Sequence, residues 1–138
     1  MYGNLLASLR EDYGCTWHGD AVIENVKIIN TSDVVYLLTA RFYPHHNFGY
    51  QAYYPENVTV KGLTLENPAK LYVYNDITPE GEYDVTAEKV AVGGEEIENV
   101  NQMIITKNIT LEGLSENVLS VEASPDSVFN SQLKITRK

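Results

Sequence analysis

The sequence predicts an all-β protein in which a strand–corner–strand unit repeats along the chain. Four seven-residue stretches share a pattern of two apolar residues at spacing two: ENVKIIN (24–30), KGLTLEN (61–67), KNITLEG (107–113) and SQLKITR (131–137). Asn or Gly ends three of the four stretches, and these residues tolerate sharp turns. The first residues of the stretches are 37, 46 and 24 positions apart. Periods of this size indicate a solenoid.

The repeated pattern predicts a core built in successive layers. The apolar pairs of the four stretches are Val26 and Ile28, Leu63 and Leu65, Ile109 and Leu111, and Leu133 and Ile135. Because residues at spacing two lie on the same face of a strand, each pair should point into a shared interior. If the units are stacked, Val26, Leu63 and Ile109 should lie one above another.

A second strand is predicted after each of the first three corners. Apolar and β-branched residues favour strands at 34–41, 70–76 and 117–124. An earlier segment, 4–11, is interpreted as the same strand one unit upstream. Its leucines also fit one face of a short helix, which is the alternative for this segment.

The Asn-ended strands, the very short corners and the long connections elsewhere resemble the right-handed parallel β-helix of the pectate-lyase-like superfamily. The resemblance implies a solenoid of about three to four coils, each with three strands, and a C-terminal portion of a longer protein. It also implies a ladder of corner residues, which here would be Asn30, Asn67 and Gly113. The third strand of a coil should lie near TWHGDAV (16–22) and QAYYP (51–55). The alternative fold is an antiparallel β-sandwich.

The whole chain, residues 1–138, is predicted to be a single β-solenoid domain with one insertion. The segment at about 77–102 breaks the period, and its apolar residues flank Gly93 and Gly94. A Gly-Gly pair between two apolar runs is typical of a hairpin. The segment is rich in glutamate, which we interpret as a solvated acidic surface, because calcium loops need closely spaced oxygen ligands in a tight turn.

The composition disfavours several classes of partner. The formal net charge of −9 disfavours nucleic acid, whose phosphates would be repelled, and makes an anionic polysaccharide an awkward ligand. No apolar run of the sequence approaches the length of a membrane-spanning helix, so no membrane is predicted as a partner. Cys15 is the only cysteine, which excludes an internal disulfide.

Two unusual loops, 12–20 and 42–55, hold the residues most suited to binding. They contain all three histidines, the only tryptophan and several further aromatic residues. If the units are stacked, the two loops follow equivalent strands and lie near each other on one edge. The predicted substrate-binding residues are Trp17, Phe48, Tyr50, Tyr53 and Tyr54. Flat aromatic rings can stack on the C–H faces of sugar rings, whereas in the alternative interpretation they pack the loops onto the scaffold.

Six residues in or beside these loops are candidates for catalysis: Arg10, Arg41, His18, Asp20, His45 and His46. His18 and Asp20 lie two apart and could form an acid–base pair on an extended segment. The resemblance implies a role for the arginines, because in lyases of that family an arginine takes a proton from a uronic acid. The polygalacturonase motifs NTD, DD and GHG are absent, so no catalytic residue is carried over. No metal site and no cofactor are predicted, and calcium is the one alternative kept open.

The sequence therefore predicts a carbohydrate-active β-helix that binds or cleaves a polysaccharide or oligosaccharide on the face carrying loops 12–20 and 42–55. If it is an enzyme, the resemblance implies a polysaccharide lyase or a glycoside hydrolase, and an extracellular or cell-surface location. The alternative is a non-enzymatic structural or adhesive solenoid, similar to a tailspike or a surface protein. Uncapped solenoid ends expose strand edges, so a homo-oligomer or further N-terminal coils are expected.

Overall fold

A computed structural model of the chain describes residues 5–9, 19–40, 52–73, 90–92, 95–97, 106–123 and 133–138. Every regular element in these ranges is a β-strand, so the prediction of an all-β chain is confirmed for them. Within the same ranges, no helix has the length and apolar character needed to cross a membrane.

Thirteen short strands make up the regular structure of the described ranges. They are β1 (Leu5–Leu9), β2 (Ala21–Glu24), β3 (Lys27–Ile28), β4 (Val34–Ala40), β5 (Ala52–Tyr54), β6 (Asn57–Lys61), β7 (Thr64–Leu65), β8 (Ala69–Val73), β9 (Val90–Val92), β10 (Glu95–Ile97), β11 (Asn108–Glu112), β12 (Val118–Ala123) and β13 (Lys134–Arg137). The second strands predicted at 34–41, 70–76 and 117–124 correspond to β4, β8 and β12. The segment 4–11 contains β1, so its strand interpretation is confirmed and its helical alternative is wrong.

Two four-stranded sheets contain eight of these strands. Sheet A has the order β1-β4-β8-β12, and sheet B has the order β13-β11-β6-β2. All neighbouring strands within both sheets are parallel. Along the chain these strands fall alternately into sheet A and sheet B, and each new strand lies beside the previous strand of its own sheet. For the described strands, this parallel order contradicts the alternative of an antiparallel sandwich.

Two smaller ladders also contain parallel pairs. β3 pairs with β7, and β5 pairs with β9. β5 lies within QAYYP, one of the two places where the sequence predicts a third strand. β9 also pairs antiparallel with β10, so that Glu95 lies opposite Val92. The predicted insertion at 77–102 does not anticipate that β9 is stacked on β5, and apart from β9 and β10 that segment lies outside the described residues.

The first two repeated stretches, 24–30 and 61–67, stack in register as the sequence predicts. Ile28 pairs with Leu65 in the β3–β7 ladder. The backbone N–H of Thr64 donates a 2.9 Å hydrogen bond to the carbonyl of Val26, which keeps the same register one step earlier in the chain. Equivalent residues of these two layers are therefore 37 positions apart, as in the hydrogen-bonded pair Asn30 and Asn67.

The third and fourth stretches stack at a different position in the unit from the predicted one. Ile109 pairs with Val58 and not with Leu63, so the predicted column of Val26, Leu63 and Ile109 is wrong. Ile135 in turn pairs with Ile109. The physical reason is that each unit contains two segments with apolar residues at spacing two, one in β6 and one around β7. Both segments precede a corner, so both fit the same short pattern.

A left-handed backbone corner follows each of β2, β6 and β11. Asn25, Gly62 and Gly113 have φ angles of 55°, 71° and 60° at these corners. The N–H of Asn25 donates to the carbonyl of Lys61 at 2.8 Å, and the N–H of Gly62 donates to the carbonyl of Glu112 at 2.9 Å. Glycine adopts this conformation without a steric penalty, and asparagine adopts it more readily than most residues. Gly113 therefore belongs to this column and not to the asparagine ladder predicted for it.

An asparagine ladder holds the next corner together. The Nδ2 of Asn30 donates to the carbonyl of Asn67, and the Oδ1 of Asn30 accepts from the backbone N–H of Asn67, both at 3.0 Å. In the following layer, the Nδ2 of Asn117 donates to the carbonyls of Leu65 and Glu66. The predicted pair of Asn30 and Asn67 is confirmed, and the side chain that bonds to this corner from the next layer is that of Asn117, with no contribution from Gly113.

One hydrophobic cluster joins the two sheets. Leu37 and Leu71 from sheet A and Ile109 and Leu111 from sheet B are all 0% exposed. The partly buried members belong to the first and last layers: Ile23, Val26, Leu114, Val121, Leu133 and Ile135. Among the described residues, the interior side chains are therefore fully buried in the middle layers, whereas several at both ends of the stack are partly exposed.

Candidate functional site

The C-terminal ends of the sheet A strands bring the origins of the two predicted binding loops together. Leu9 at the end of β1 pairs with Ala40 at the end of β4. Arg10 and Arg41 are bonded directly to these residues, so the connections leading to loops 12–20 and 42–55 leave from strands about 4.8 Å apart. We call this edge of sheet A, formed by the ends of β1, β4 and β8, the loop edge.

The ends of the connections are also fixed by neighbouring strands. Ala52 of β5, which lies inside loop 42–55, pairs with Val90 of β9. At the end of loop 12–20 the chain enters β2, which lies beside β6 in sheet B. Because each connection begins and ends at a paired strand, the sheets fix the positions of both of its ends.

The structure describes three of the residues that the sequence predicts for a site. Tyr53 and Tyr54 lie in β5, where their backbones pair with Ala91 and Val92, and Asp20 is exposed immediately before β2. The other predicted residues lie outside the described ranges: Arg10, Trp17, His18, Arg41, His45, His46, Phe48 and Tyr50. The roles given to all of these residues stay predictions.

Asp20 takes part in a column of hydrogen-bonded side chains. Its Oδ1 accepts a 3.0 Å bond from the Nδ2 of Asn57, and the Oδ1 of Asn57 accepts a 2.8 Å bond from the Nδ2 of Asn108. These contacts join three successive layers at the start of β2, β6 and β11. They give Asp20 a structural role whether or not it also acts as an acid or base.

Two tyrosines and two charged residues form a patch on the outer face of sheet A. Tyr36 of β4 pairs with Tyr72 of β8, and the two ring centroids are 5.8 Å apart with the ring planes at 53°. The Nζ of Lys70 lies 5.6 Å from the centroid of the Tyr72 ring and 3.9 Å from the Oε2 of Glu122. None of the four side chains is buried. We call Tyr36, Lys70, Tyr72 and Glu122 the tyrosine patch.

The tyrosine patch offers two kinds of contact. The rings present apolar faces and phenolic hydroxyls, while Lys70 donates hydrogen bonds and Glu122 accepts them. A ligand with both apolar C–H faces and hydroxyl groups matches this combination. A cross-strand aromatic pair also stabilises a sheet without any ligand. Binding and stability must therefore be measured separately for any substitution in the patch.

Tyr36 and Tyr72 are site candidates that the sequence reasoning missed, because it concentrated on aromatic residues in loops. Each follows a buried residue, Val35 or Leu71, and side chains alternate between the two faces of a strand. The sequence does contain a signal: tyrosine occupies the third position of both predicted second strands, 34–41 and 70–76. The side-by-side placement of the two rings follows only once β4 and β8 are known to be parallel neighbours.

Within the described ranges, no group of three or more His, Cys, Asp or Glu residues is arranged to hold a metal ion. Comparisons of the chain with protein-family models, with curated proteins and with solved structures found no match. The resemblance to the pectate-lyase-like superfamily therefore stays a prediction, and any function has to be argued from the chain's own residues.

Proposed function

We propose that the chain winds as a right-handed parallel β-helix and binds a neutral polysaccharide or oligosaccharide across the tyrosine patch and the loop edge. The observation that carries this proposal is the pairing of Tyr36 with Tyr72 on the outer face of sheet A. Two aromatic rings held side by side on a sheet, with their planes tilted by 53°, offer apolar faces on which sugar rings can stack. Tyr36 lies on β4, the strand from which the loop with most of the aromatic candidates leaves.

The alternation of strands between the two sheets supports the winding. The chain passes four times through each of the two parallel sheets, and each pass lies beside the previous one in the same sheet. Such a path is helical. Crossover connections between parallel strands are right-handed in the great majority of proteins, which gives the proposed hand. The ladder of Asn30 and Asn67 and the left-handed corners add two features that repeat from layer to layer.

The charges favour a neutral ligand. The chain has a formal net charge of −9, which would repel a polyanion unless cations were gathered locally. In the tyrosine patch the one lysine is balanced by Glu122, whose carboxylate lies 3.9 Å from the Nζ of Lys70. The patch therefore offers hydrogen bonds to hydroxyl groups without a net positive charge.

A panel of neutral and charged glycans, followed by calorimetric titration of any hit, tests the proposal. Tyr36→Ala and Tyr72→Ala should each weaken binding by at least about tenfold, which corresponds to about 1.4 kcal/mol. Tyr36→Phe and Tyr72→Phe, which keep the rings, should bind within a few fold of the wild type. Thr59→Ala in sheet B is the matched control and should change nothing. If no glycan binds, or if folded alanine variants bind as the wild type does, the proposal is wrong.

Cleavage is tested separately from binding. The wild type is incubated with each bound polysaccharide, and new reducing ends or unsaturated products are measured. Asp20→Asn is an informative variant because an amide oxygen can still accept the hydrogen bond from Asn57, so the column keeps its contacts. If Asp20 is an acid or base, this variant should lose turnover while it keeps binding. Equal turnover of Asp20→Asn and wild type would remove Asp20 from the candidates.

A structural or adhesive solenoid is the second candidate function. It is favoured by the two outer edges of sheet B, which carry side chains of opposite charge at positions that match in register. Such a protein would bind other copies of itself without any catalytic group, and its association in solution would depend on these charges.

A further inference from the structure

The outer face of sheet B carries three columns of side chains, each with one residue per strand. The columns are Asp20, Asn57, Asn108 and Lys134; Val22, Thr59, Thr110 and Thr136; and Glu24, Lys61, Glu112 and Lys138. In the third column acidic and basic residues alternate from layer to layer. At its end the Nζ of Lys138 lies 3.5 Å from the Oε1 of Glu112.

The two edges of sheet B have opposite charges. β2 forms one edge, where Asp20 and Glu24 are exposed, and β13 forms the other, where Lys134 and Lys138 are exposed. Among the described strands, β2 pairs only with β6, and β13 pairs only with β11. Each edge therefore presents backbone groups in an order that a further parallel strand could pair with.

The hydrophobic interior is also less covered at these two ends. Ile23 and Val26 near one edge, and Leu133 and Ile135 near the other, are only partly buried. The corresponding residues of the middle layers, such as Val60 and Leu111 in the Ile23 column, are at most 1% exposed. Covering both ends would remove further apolar surface from water.

We infer that copies of this chain stack head to tail, with β13 of one copy beside β2 of the next. Lys134 would then meet Asp20, Thr136 would meet Val22, and Lys138 would meet Glu24 of the next copy. The alternation of acidic and basic residues in the third column would continue across the junction without a break. The partner is therefore a second copy of the same chain, recognised by opposite charge in matching register.

The geometry of the sheets fits this assembly. Sheets A and B both have four described strands, so a copy moved along the stack by four strand spacings, about 19 Å, would continue both sheets at once. In sheet A, β1 of the next copy would then lie beside β12. A head-to-tail contact of this kind leaves the same two surfaces free at the ends, so it produces an open chain of copies and not a closed dimer.

The charges also decide which pairings are disfavoured. Lysines on an edge strand usually prevent pairing between edges, and here they would repel a second β13. Asp20 and Glu24 would likewise repel a second β2. Between the two edges of sheet B, only the pairing of β13 with β2 brings opposite charges together, so the residues that block the two like pairings select this one. The inference does not depend on sugar binding, and its failure would leave the tyrosine patch untouched.

A charge-swap experiment on the full chain tests the assembly. Variant one carries Lys134→Glu and Lys138→Glu, so both edges are acidic, and variant two carries Asp20→Lys and Glu24→Lys, so both edges are basic. The wild type should associate in sedimentation velocity at low salt, and salt should weaken the association. Each variant alone should need at least about tenfold higher concentration to associate. A mixture of the two variants should associate again, because each junction then joins opposite charges.

Arg137→Pro is a second variant that acts on the backbone of the edge, and Arg137→Gln, which loses the same charge but keeps the backbone N–H, is its control and should still associate. The N–H groups of Lys134 and Lys138 donate to carbonyls of Lys107 and Leu111, at 2.9 Å and 2.8 Å, so by alternation that of Arg137 faces the outer edge. Proline there removes a donor from the edge, is tolerated in edge strands, and should block association. Circular dichroism checks the fold of every variant. A wild type that stays monomeric, single variants that associate as it does, or a mixture that does not associate would each overturn the inference.

Discussion

Gly62 lies against Asn25 at a corner where both residues have a left-handed backbone. A Cβ atom added to Gly62 would stand 2.9 Å from the Oδ1 of Asn25, which is too close for a relaxed contact. At Gly113, one layer further on, the nearest atom to an added Cβ would be the backbone nitrogen of Gly62 at 3.8 Å. The same corner is therefore crowded in one layer and open in the next.

Gly62→Ala should destabilise the chain more than Gly113→Ala does. Both substitutions place a Cβ on a left-handed backbone, which costs about 1–2 kcal/mol. Only Gly62→Ala also displaces a neighbouring side chain, so its loss should be larger by about 0.5–1 kcal/mol, the cost of moving the exposed Asn25 side chain off its rotamer. Urea denaturation of both variants measures the difference. Asn25→Gly in the Gly62→Ala background should recover part of the loss, and equal losses in the two single variants would contradict the argument.

Asn30→Ala should be one of the most damaging polar substitutions in the described part of the chain. Asn30 is 0% exposed, and its side chain donates to the carbonyls of Ser32 and Asn67 and accepts from the N–H of Asn67. Alanine would leave three partly buried backbone groups without their partner, at a cost of about 2–3 kcal/mol. Asn67→Ala is the comparison, because the Nδ2 of Asn67 donates a single 2.6 Å bond to the carbonyl of Asn30, whereas the Asn30 side chain makes three bonds, so the Asn67 variant should lose about 1 kcal/mol. Thermal or urea unfolding in which both variants lose the same free energy would contradict this assignment.

The strands and their parallel stacking could be predicted from the sequence because they depend on short-range signals that repeat. Alternating apolar residues define each strand locally, and the asparagines at 30 and 67 mark two equivalent corners. Each signal lies within a few residues, so it does not depend on how many residues separate one layer from the next. The signals therefore survive the uneven insertions that separate one unit from the next.

The register of the later layers is predicted wrongly, because two similar segments of each unit fit the same short apolar pattern and the wrong one is matched. Ile109 precedes a left-handed glycine corner, and Leu63 precedes an asparagine corner, but both stand first in an apolar pair at spacing two. A β-bulge adds a further irregularity, since the pairing shifts between Val118 and Ser120 and leaves Leu119 66% exposed. The sequence does contain a signal for the correct match, because NVTVKGL (57–63) and NITLEGL (108–114) share Asn, Thr, Gly and Leu at the same positions.

One part of the candidate site could also be predicted from the sequence, and another part could not. The common origin of the two loops follows from stacking alone, and the pairing of Leu9 with Ala40 agrees with it. The tyrosine patch depends on the relative register of β4 and β8, which brings Tyr36 and Tyr72 side by side. When a residue is a site candidate only because of its neighbour on another strand, its own position in the sequence does not reveal it.

Leu63→Ala should cost more than Leu114→Ala, although the two leucines follow equivalent glycine corners. Leu63 is 0% exposed in a middle layer, whereas Leu114 is partly buried at the end of the stack. Removing a fully buried leucine side chain costs about 3–4 kcal/mol, and a partly exposed one costs about half as much. Chemical denaturation at a protein concentration too low for association measures the intrinsic difference. If the assembly inferred above forms, Leu114→Ala should also weaken it, whereas Leu63→Ala should act only on the fold.

Asn57→Asp should create a stability defect that depends on pH, because it removes the donor to Asp20 and places two carboxylates side by side. The wild-type distance between the Nδ2 of Asn57 and the Oδ1 of Asp20 is 3.0 Å. Near neutral pH, repulsion at this separation should lower the Tm by about 3–5 °C, which corresponds to about 1 kcal/mol for a chain of this size. The extra loss should shrink in acidic solution, because protonation of either carboxyl removes the repulsion between them. Asn57→Ala, which loses the hydrogen bonds without adding charge, is the control and should show a defect that does not change between these conditions. Thermal unfolding of the three proteins across this range measures both effects, and parallel pH profiles for the two variants would show that charge repulsion in the column is negligible.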